Sequence, residues 1–350
     1  MALPFQSDVL LSEHTTLGLG GPARRFLRVD SVEMLQRALA SAEAQGPVLI
    51  VGGGSNLVVS DAGFDGLVIR LQMRGIASQG PGRFIVSAGE PWEAVVDYAV
   101  EREWAGVECL SGIPGLAGAT PIQNVGAYGQ DVSQVVVGVD ALDLDLGRPV
   151  HVPASECGFA YRNSRFKRER QRWIVTAVHF ELRPGAAPTV AYRELERALE
   201  GQERTIASVR DMVVALRRRK SMVLDPDDPD SRSVGSFFTN PIVDASVAQR
   251  VVQHAVKAGM VEAPEDVPRY DAEQGRIKFP AAWLIEKSGI AKGKRRGGVA
   301  VSSKHTLALV HLGGGTTAEL VALAREIRDR VRDEFGVTLE AEPRLVGVSL

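Results

Sequence analysis

The 350-residue chain holds only two cysteines, Cys109 and Cys157. They fall in no C-x-x-C spacing and have no histidine cluster beside them, so neither a disulfide framework nor a zinc site is indicated, and no metal is expected. An excess of one charge is also missing. The 41 Lys and Arg against 43 Asp and Glu give a formal net charge of −2, which excludes a global basic field for nucleic acid. No run approaches the roughly 20 apolar residues needed to span a bilayer. The opening stretch, Met1 to Asp8, has no basic segment followed by a long apolar one, as a secretion signal would. These absences set the expectation of a cytoplasmic enzyme with no membrane or nucleic-acid partner. The G-x-S-x-G elbow is absent as well, and no histidine is placed by sequence to complete a hydrolase triad. What remains is an ordinary globular composition, 45% hydrophobic and 24% charged, long enough for two or three domains.

Glycine is what the chain has in quantity, 36 residues, and two stretches concentrate it. The first is Val51-Gly52-Gly53-Gly54-Ser55-Asn56, directly after the strand-like run Pro47 to Ile50. The second is Ser111-Gly112-Ile113-Pro114-Gly115-Leu116-Ala117-Gly118-Ala119-Thr120. Consecutive glycines let successive backbone N–H groups converge on one point, forming an anion site without Lys or Arg. Two such loops suit a long nucleotide with two phosphates; the plainer alternative for the first is a tight turn between strands. A nicotinamide-type Rossmann turn would open a helix. Here Leu57 to Ser60, the turn-like Asp61 to Gly66, and Leu67 to Leu71 read instead as strand, turn, strand. Gly18-Leu19-Gly20-Gly21-Pro22-Ala23 satisfies G-x-G-x-x-A on paper but lacks the preceding strand and following helix.

Periodicity predicts a helix over Ser31 to Ala44, a helix from about Pro91 to Arg102, and a meandering sheet between about 130 and 182. Arg183 to Pro188 reads as a turn-rich connection, and Asp225 to Asp230 as an exposed acidic loop. Beyond it, Ala245 to Gly259 and Ala281 to Ser288 read as helices and Thr306 to Leu312 as a strand. Gly313-Gly314-Gly315 leads into a Thr316-x-x-Glu319 capping box and a helix ending before Gly336. The basic runs Arg217 to Lys220 and Lys292 to Arg296 are either solvated ends or contacts for an anionic substrate.

Three polar features are candidates for chemistry. Arg162, among aromatics in Gly158 to Lys167, can point a fixed fork of donors at a carboxylate or developing enolate, or lie on the surface. Ser236, in Gly235-Ser236-Phe237-Phe238-Thr239-Asn240-Pro241, can hand a proton to a carbon centre, or occupy a turn beside a Phe-Phe anchor. Glu342 ends the alternating run Val337 to Glu342 at Pro343, where it can act as an acid or orient one, or be a plain surface residue.

Together these residues resemble the UDP-N-acetylenolpyruvoylglucosamine reductase (UDP-N-acetylmuramate dehydrogenase) family of bacterial peptidoglycan synthesis. The resemblance runs from Thr16-Leu17-Gly18-Leu19-Gly20-Gly21 to Glu342-Pro343-Arg344-Leu345-Val346-Gly347. Its most specific parts are Gly52 to Asn56, Ile113 to Gly129, Tyr161 to Lys167 and Gly235 to Pro241. It implies an α+β fold: a p-cresol methylhydroxylase-type FAD-binding domain of two α/β subdomains, residues 1–75 and 76–215, and a C-terminal α+β substrate-binding domain, residues 216–350. It implies FAD as cofactor and NADPH as the hydride-donating cosubstrate. The reaction implied is reduction of UDP-N-acetylglucosamine enolpyruvate to UDP-N-acetylmuramate; the chain is expected to act as a monomer. Carried over by position, Ser236 is the proton donor, with Arg162 and Glu342 polarising the enolpyruvyl carboxylate. Gly52, Gly53, Gly54, Ser55, Asn56, Ile113, Pro114, Gly115, Ala119, Thr120, Gly126 and Tyr128 would hold the flavin. Tyr192, Lys220 and Asn240 would contact the substrate. The chain departs from the family at Lys287, where some members use a glutamine toward the nucleotide. A flavin oxidase of the same fold and a nucleotide-binding protein without chemistry are the other readings. The absence of a histidine in the first glycine loop weighs against the former, and intact Arg162, Ser236 and Glu342 weigh against the latter.

Overall fold

The computed structural model describes residues 2–350 and shows an α+β protein of two compact units. The first contains the described residues up to Leu10, then Pro22–Ser55 and Phe64–Leu224; the second contains Leu11–Gly21, Asn56–Gly63 and Asp225–Leu350. The chain thus enters the second unit three times.

In the first unit, a four-stranded sheet is built around Phe64–Leu71, which runs parallel to Pro22–Val29 on one side and Val48–Val51 on the other; Val9–Leu10 closes the far edge. Between the second and third of these strands in sequence comes the helix Val32–Leu39. Ser31 caps it by accepting from the Met34 N–H, satisfying a donor that the helix cannot. The strand Phe64–Leu71 begins three residues earlier than the sequence suggests. Gly66 explains this: a Cβ there would sit 2.2 Å from the Pro47 carbonyl oxygen, so glycine marks close strand approach and not a free turn. The second sheet is antiparallel, ordered Arg148–Pro153, Val136–Asp143, Trp173–Glu181, Arg83–Ser87 and Ile76–Ser78. It is the expected meander, joined by strands from before residue 90. Its buried face packs Phe84, Val86, Val139, Val178 and Phe180 against Trp92, Val95 and Val96 of the helix Trp92–Val100. Pro91 sits at the cap of that helix, one position before the first turn.

Both cysteines are buried in this unit. Desolvation pushes the Cys109 thiol up to about 12 and the Cys157 thiol up to about 11, so both stay protonated and unreactive near neutrality. A disulfide reagent at about pH 8 should therefore label neither cysteine in the native protein and both after unfolding. Stoichiometric labelling of the native chain would contradict this environment.

In the second unit, Ser233–Ser236, Ala308–His311, Val299–Val301 and Arg295–Arg296 form an antiparallel sheet in that order. The helices Ala245–Lys257, Ala281–Lys287 and Thr317–Phe335 pack on a core that includes Phe237, Phe238, Phe279, Leu320, Leu323 and Ile327. The expected capping box is present: Thr316 accepts from the Glu319 N–H, and Gly336 closes the helix at φ 67°. Asp61 adds a carboxylate that accepts from the Thr317 and Ala318 N–H groups at 2.7 and 2.9 Å, where the helix dipole favours negative charge. The paper fingerprint at Gly18 to Ala23 leads into a strand, not a helix. A Cβ on Gly21 would lie 2.1 Å from the Asp61 carbonyl oxygen, so close backbone packing is what requires glycine there.

The acidic loop departs from expectation at its end. Asp225 and Asp227 are exposed, but Asp230 is buried. Its carboxylate accepts from Ser302 Oγ, the Ser303 N–H and Ser303 Oγ at 2.7–2.8 Å, and those donors make burial tolerable. The C-terminal run also differs. Burial alternates as expected, with Val337 and Leu339 buried and Thr338 and Glu340 exposed. Regular pairing, however, comes after Pro343, where Arg344–Val346 runs parallel to Leu57–Val59.

His311 lies in this unit with Nδ1 at 3.1 Å from the Leu17 carbonyl oxygen and Nε2 accepting from the Gly315 N–H at 3.1 Å. That pattern fits the neutral ring, with Nδ1 donating. Desolvation holds its titration below the ordinary value, although the Leu17 carbonyl opposes this. The unfolded chain then binds the extra proton more readily, so this contribution is complete above about pH 6.5 and is lost as pH falls below it. The stability gap between the protein and a His311→Asn variant should narrow from about pH 7.5 to about pH 5.5, as read by urea unfolding. A gap that does not change with pH would contradict the neutral assignment.

Candidate active site

Within the first unit the two glycine-rich loops touch backbone to backbone. A Cβ on Gly53 would lie 3.1 Å from the Gly115 Cα, one on Gly52 3.4 Å from Leu116 Cδ1, and one on Gly115 2.8 Å from Ser55 Oγ. Gly54 and Gly115 have φ of 67° and 137°, which side chains resist. Among the described residues, the N–H groups of Gly53, Gly54 and Ser55 have no backbone acceptor. The donors are therefore left for something outside the backbone, which is the physical requirement for an anion cradle.

The second loop is held by its surroundings. The Trp92 N–H donates to the Gly115 carbonyl, and the Ala117 and Gly118 N–H groups donate to the Glu90 and Ala88 carbonyls. The Gly112 N–H donates to Glu93 Oε2 at 2.5 Å. Ile113 and Pro114 lie half-buried on the loop, Ala119 is exposed at its short helical turn, and Thr120 is buried with its hydroxyl donating to the Ala117 carbonyl.

Downstream, Asn124, Tyr128 and Arg162 all adopt positive φ, between 45° and 50°. Non-glycine residues held there cost about 1–3 kcal/mol each and tend to gather at functional sites. Arg162 donates from Nη2 to the Gly126 carbonyl at 2.6 Å and from Nη1 to the Asn124 carbonyl at 3.4 Å. Gly126 permits this approach, since a Cβ there would stand 3.3 Å from Nη1. The Tyr128 ring packs edge-on against Tyr192, with centroids 5.5 Å apart, and Lys220 Nζ lies 5.9 Å from its centre. Burial pushes the Tyr128 hydroxyl up to about 12. Lys220 also pairs with Glu194 at 2.6 Å. The structure thus gathers Tyr128, Tyr192 and Lys220 into one cluster.

Sequence reasoning did not single out Arg217, which is buried beside them. Its Nη2 donates to the Met222 carbonyl at 2.7 Å, and burial lowers its pKa. The signal was available: on the helix Ile206–Arg219 the buried positions are Ile206, Val209, Val213, Leu216 and Arg217, so helical spacing turns Arg217 inward with the apolar face.

The second unit brings Ser236, Glu342 and Asn56 together. Ser236 ends its strand after Gly235, whose φ is 75°. The Phe237 N–H donates to the Leu307 carbonyl, and the Glu342 N–H donates to the Phe237 carbonyl at 2.9 Å. Asn56 Nδ2 donates to the Glu342 carbonyl at 3.4 Å, while the Arg344 N–H donates to the Asn56 carbonyl at 2.9 Å. Ser236 and Glu342 therefore stand on adjacent, hydrogen-bonded segments. Asn240 is otherwise engaged in part: its Oδ1 accepts from the Ala281 N–H at 2.9 Å, at the start of a helix. Lys287 donates to the Met260 carbonyl at 2.5 Å.

Residues 23–152 match the family described as the FAD binding domain, and residues 227–346 match UDP-N-acetylenolpyruvoylglucosamine reductase, C-terminal domain. A glycine loop whose Gly53, Gly54 and Ser55 N–H groups find no backbone acceptor among the described residues, together with the FAD-binding match, defines the class as a flavoprotein. The chain is 49% identical over 360 residues to the UDP-N-acetylenolpyruvoylglucosamine reductase of Thermobifida fusca, with 100% of each covered. It is 48% identical to that of Saccharopolyspora erythraea, covering 97% of this chain and 95% of the other. The crystal structure of the reductase from Thermus caldophilus is similar over 99% of each chain, with 26% identity and a TM-score of 0.67. The chain belongs to the UDP-N-acetylenolpyruvoylglucosamine reductase family.

Proposed function

We propose that this protein reduces UDP-N-acetylglucosamine enolpyruvate to UDP-N-acetylmuramate with NADPH, in bacterial peptidoglycan synthesis. The observation that carries the reading is identity of 49% across the whole of both chains. The touching glycine loops support it from the geometry. Bound FAD supplies two-electron chemistry between the nicotinamide and the enol ether.

The remaining work falls to side chains. The cradle of Gly52 to Asn56, with Ile113, Pro114, Gly115, Ala119, Thr120, Gly126 and Tyr128, holds the flavin and its pyrophosphate. Arg162 and Glu342 polarise the enolpyruvyl carboxylate, so charge that develops as the hydride arrives meets a fixed cation and a placed acid. Ser236 delivers the proton to the remaining carbon and completes the lactyl ether. Tyr192 clamps the substrate, and Lys220 and Asn240 meet the diphosphate and sugar. Residues 1–75 and 76–215 serve the flavin, 216–350 the UDP-sugar, and the chain works as a monomer in the cytoplasm.

Steady-state assay tests this directly. NADPH consumption should depend on the enolpyruvyl sugar and match UDP-N-acetylmuramate formed one to one. Consumption indifferent to the sugar would overturn the reading.

A further inference from the structure

Strand pairing assembles a second group of chemically active side chains that the reductase reaction does not use. Asp140 lies on the strand Val136–Asp143, directly opposite His151 of the edge strand Arg148–Pro153. His179, on the other flanking strand Trp173–Glu181, pairs with Gly138. Residues two apart on a strand share a face, so Gly138, Asp140, His151 and His179 all project to the same side. Their neighbours Val139, Val152 and Val178 point to the buried side.

The centre of the group is open because residue 138 is glycine. A Cβ there would stand 2.4 Å from His151 Cε1 and 2.6 Å from its Nε2. The two imidazoles lean over the bare backbone from opposite strands, 4.8 Å between centroids and nearly perpendicular. Asp140 spans them: Oδ1 is 2.7 Å from His151 Nδ1, and Oδ2 is 2.9 Å from His179 Nε2. One ligand atom from each residue lies within 4.8 Å of the others.

We propose that Asp140, His151 and His179 form a binding site for a divalent transition-metal ion of the Zn²⁺ type. Two imidazole nitrogens and one carboxylate oxygen are a borderline donor set, suited to Zn²⁺ and its neighbours and unsuited to Mg²⁺ or Ca²⁺, which demand oxygen ligands. Ligand atoms bound at about 2.0–2.1 Å in tetrahedral geometry stand about 3.3 Å apart. The three ligand atoms start within 4.8 Å of one another, so the site forms when the Asp140 carboxylate turns one oxygen toward both rings and the rings draw in. Water fills the remaining position. The ion would staple the edge strand to the two behind it, a role separate from the reductase chemistry.

The test uses the FAD-loaded full chain, dialysed against a chelator and titrated calorimetrically with Zn²⁺ and, in parallel, Mg²⁺. One saturable Zn²⁺ per chain and no Mg²⁺ binding is the expected result. His151→Gln and His179→Gln should each weaken Zn²⁺ binding by about tenfold or more and abolish the rise in Tm that Zn²⁺ produces. Retained flavin absorbance reports that each variant is folded. His254→Gln, on a helix of the second unit, should bind as the parent does. Absence of saturable Zn²⁺ binding would overturn the proposal, as would parental affinity in a folded His151→Gln/His179→Gln double variant.

Discussion

Replacing Ser236 with alanine should leave NADPH able to bleach the flavin while turnover of the enolpyruvyl sugar falls by roughly 10²–10⁴-fold, the range a placed proton donor contributes. Two features motivate the size of the effect. Ser236 ends a strand beside two buried rings, Phe237 and Phe238, whose centroids are 5.1 Å apart, so its backbone is fixed. It also lies one residue from Phe237, whose carbonyl holds the Glu342 N–H, which ties the two proposed groups to one scaffold. A hydroxyl deletion at a half-buried position removes little packing, so flavin content and Tm should remain near parental. Stopped-flow measurement separates the outcomes. Unchanged flavin reduction with lost reoxidation by the sugar supports the role. Equal loss in both half-reactions assigns Ser236 to structure, and unimpaired turnover removes it from the mechanism.

Gly115→Ala should lower the affinity for FAD by roughly 10–100-fold, since each tenfold corresponds to about 1.4 kcal/mol. At φ 137° an alanine is strained by about 1–3 kcal/mol, and its Cβ would meet Ser55 Oγ at 2.8 Å. Both costs are relieved by parting the two loops, which disperses the donors of the cradle. Gly147→Ala provides the control. Its φ of 66° also disfavours a side chain, but nothing stands within 4 Å of the added carbon. It should lose some stability and keep its flavin. Flavin released on dilution, read by the recovery of free-flavin fluorescence, distinguishes them; equal retention in both variants would contradict the cradle.

How much of this was legible in the sequence depended on range. The glycine loops and the Thr316 capping box carry their physics within a few residues, so periodicity and turn chemistry found them. The contact of Gly53 with Gly115 spans 62 positions, and the sequence reading of two separate anion loops did not foresee it. Where sequence reasoning failed, the deciding partner was distant. Asp230 looked like part of a solvated acidic loop until Ser302 and Ser303 supplied its donors. Phe64 to Gly66 looked like a turn until Pro47 came alongside. Arg344–Val346 pairs with Leu57–Val59, a partnership that no local pattern announces beyond a proline. Asp140, His151 and His179 show the same limit: no motif spacing links them, and only the register of three strands does. Arg162, Ser236 and Glu342 are proposed as site residues through a resemblance more than through physics, since each fits an ordinary surface or turn residue when read alone.

The measurement that tests the central claim most directly is an anaerobic absorbance trace of the purified protein. Bound oxidised flavin should be visible, bleach on addition of NADPH, and return rapidly when UDP-N-acetylglucosamine enolpyruvate is added, with UDP-N-acetylmuramate as product. A flavin that bleaches but is reoxidised only when oxygen is admitted would contradict the account and indicate an oxidase.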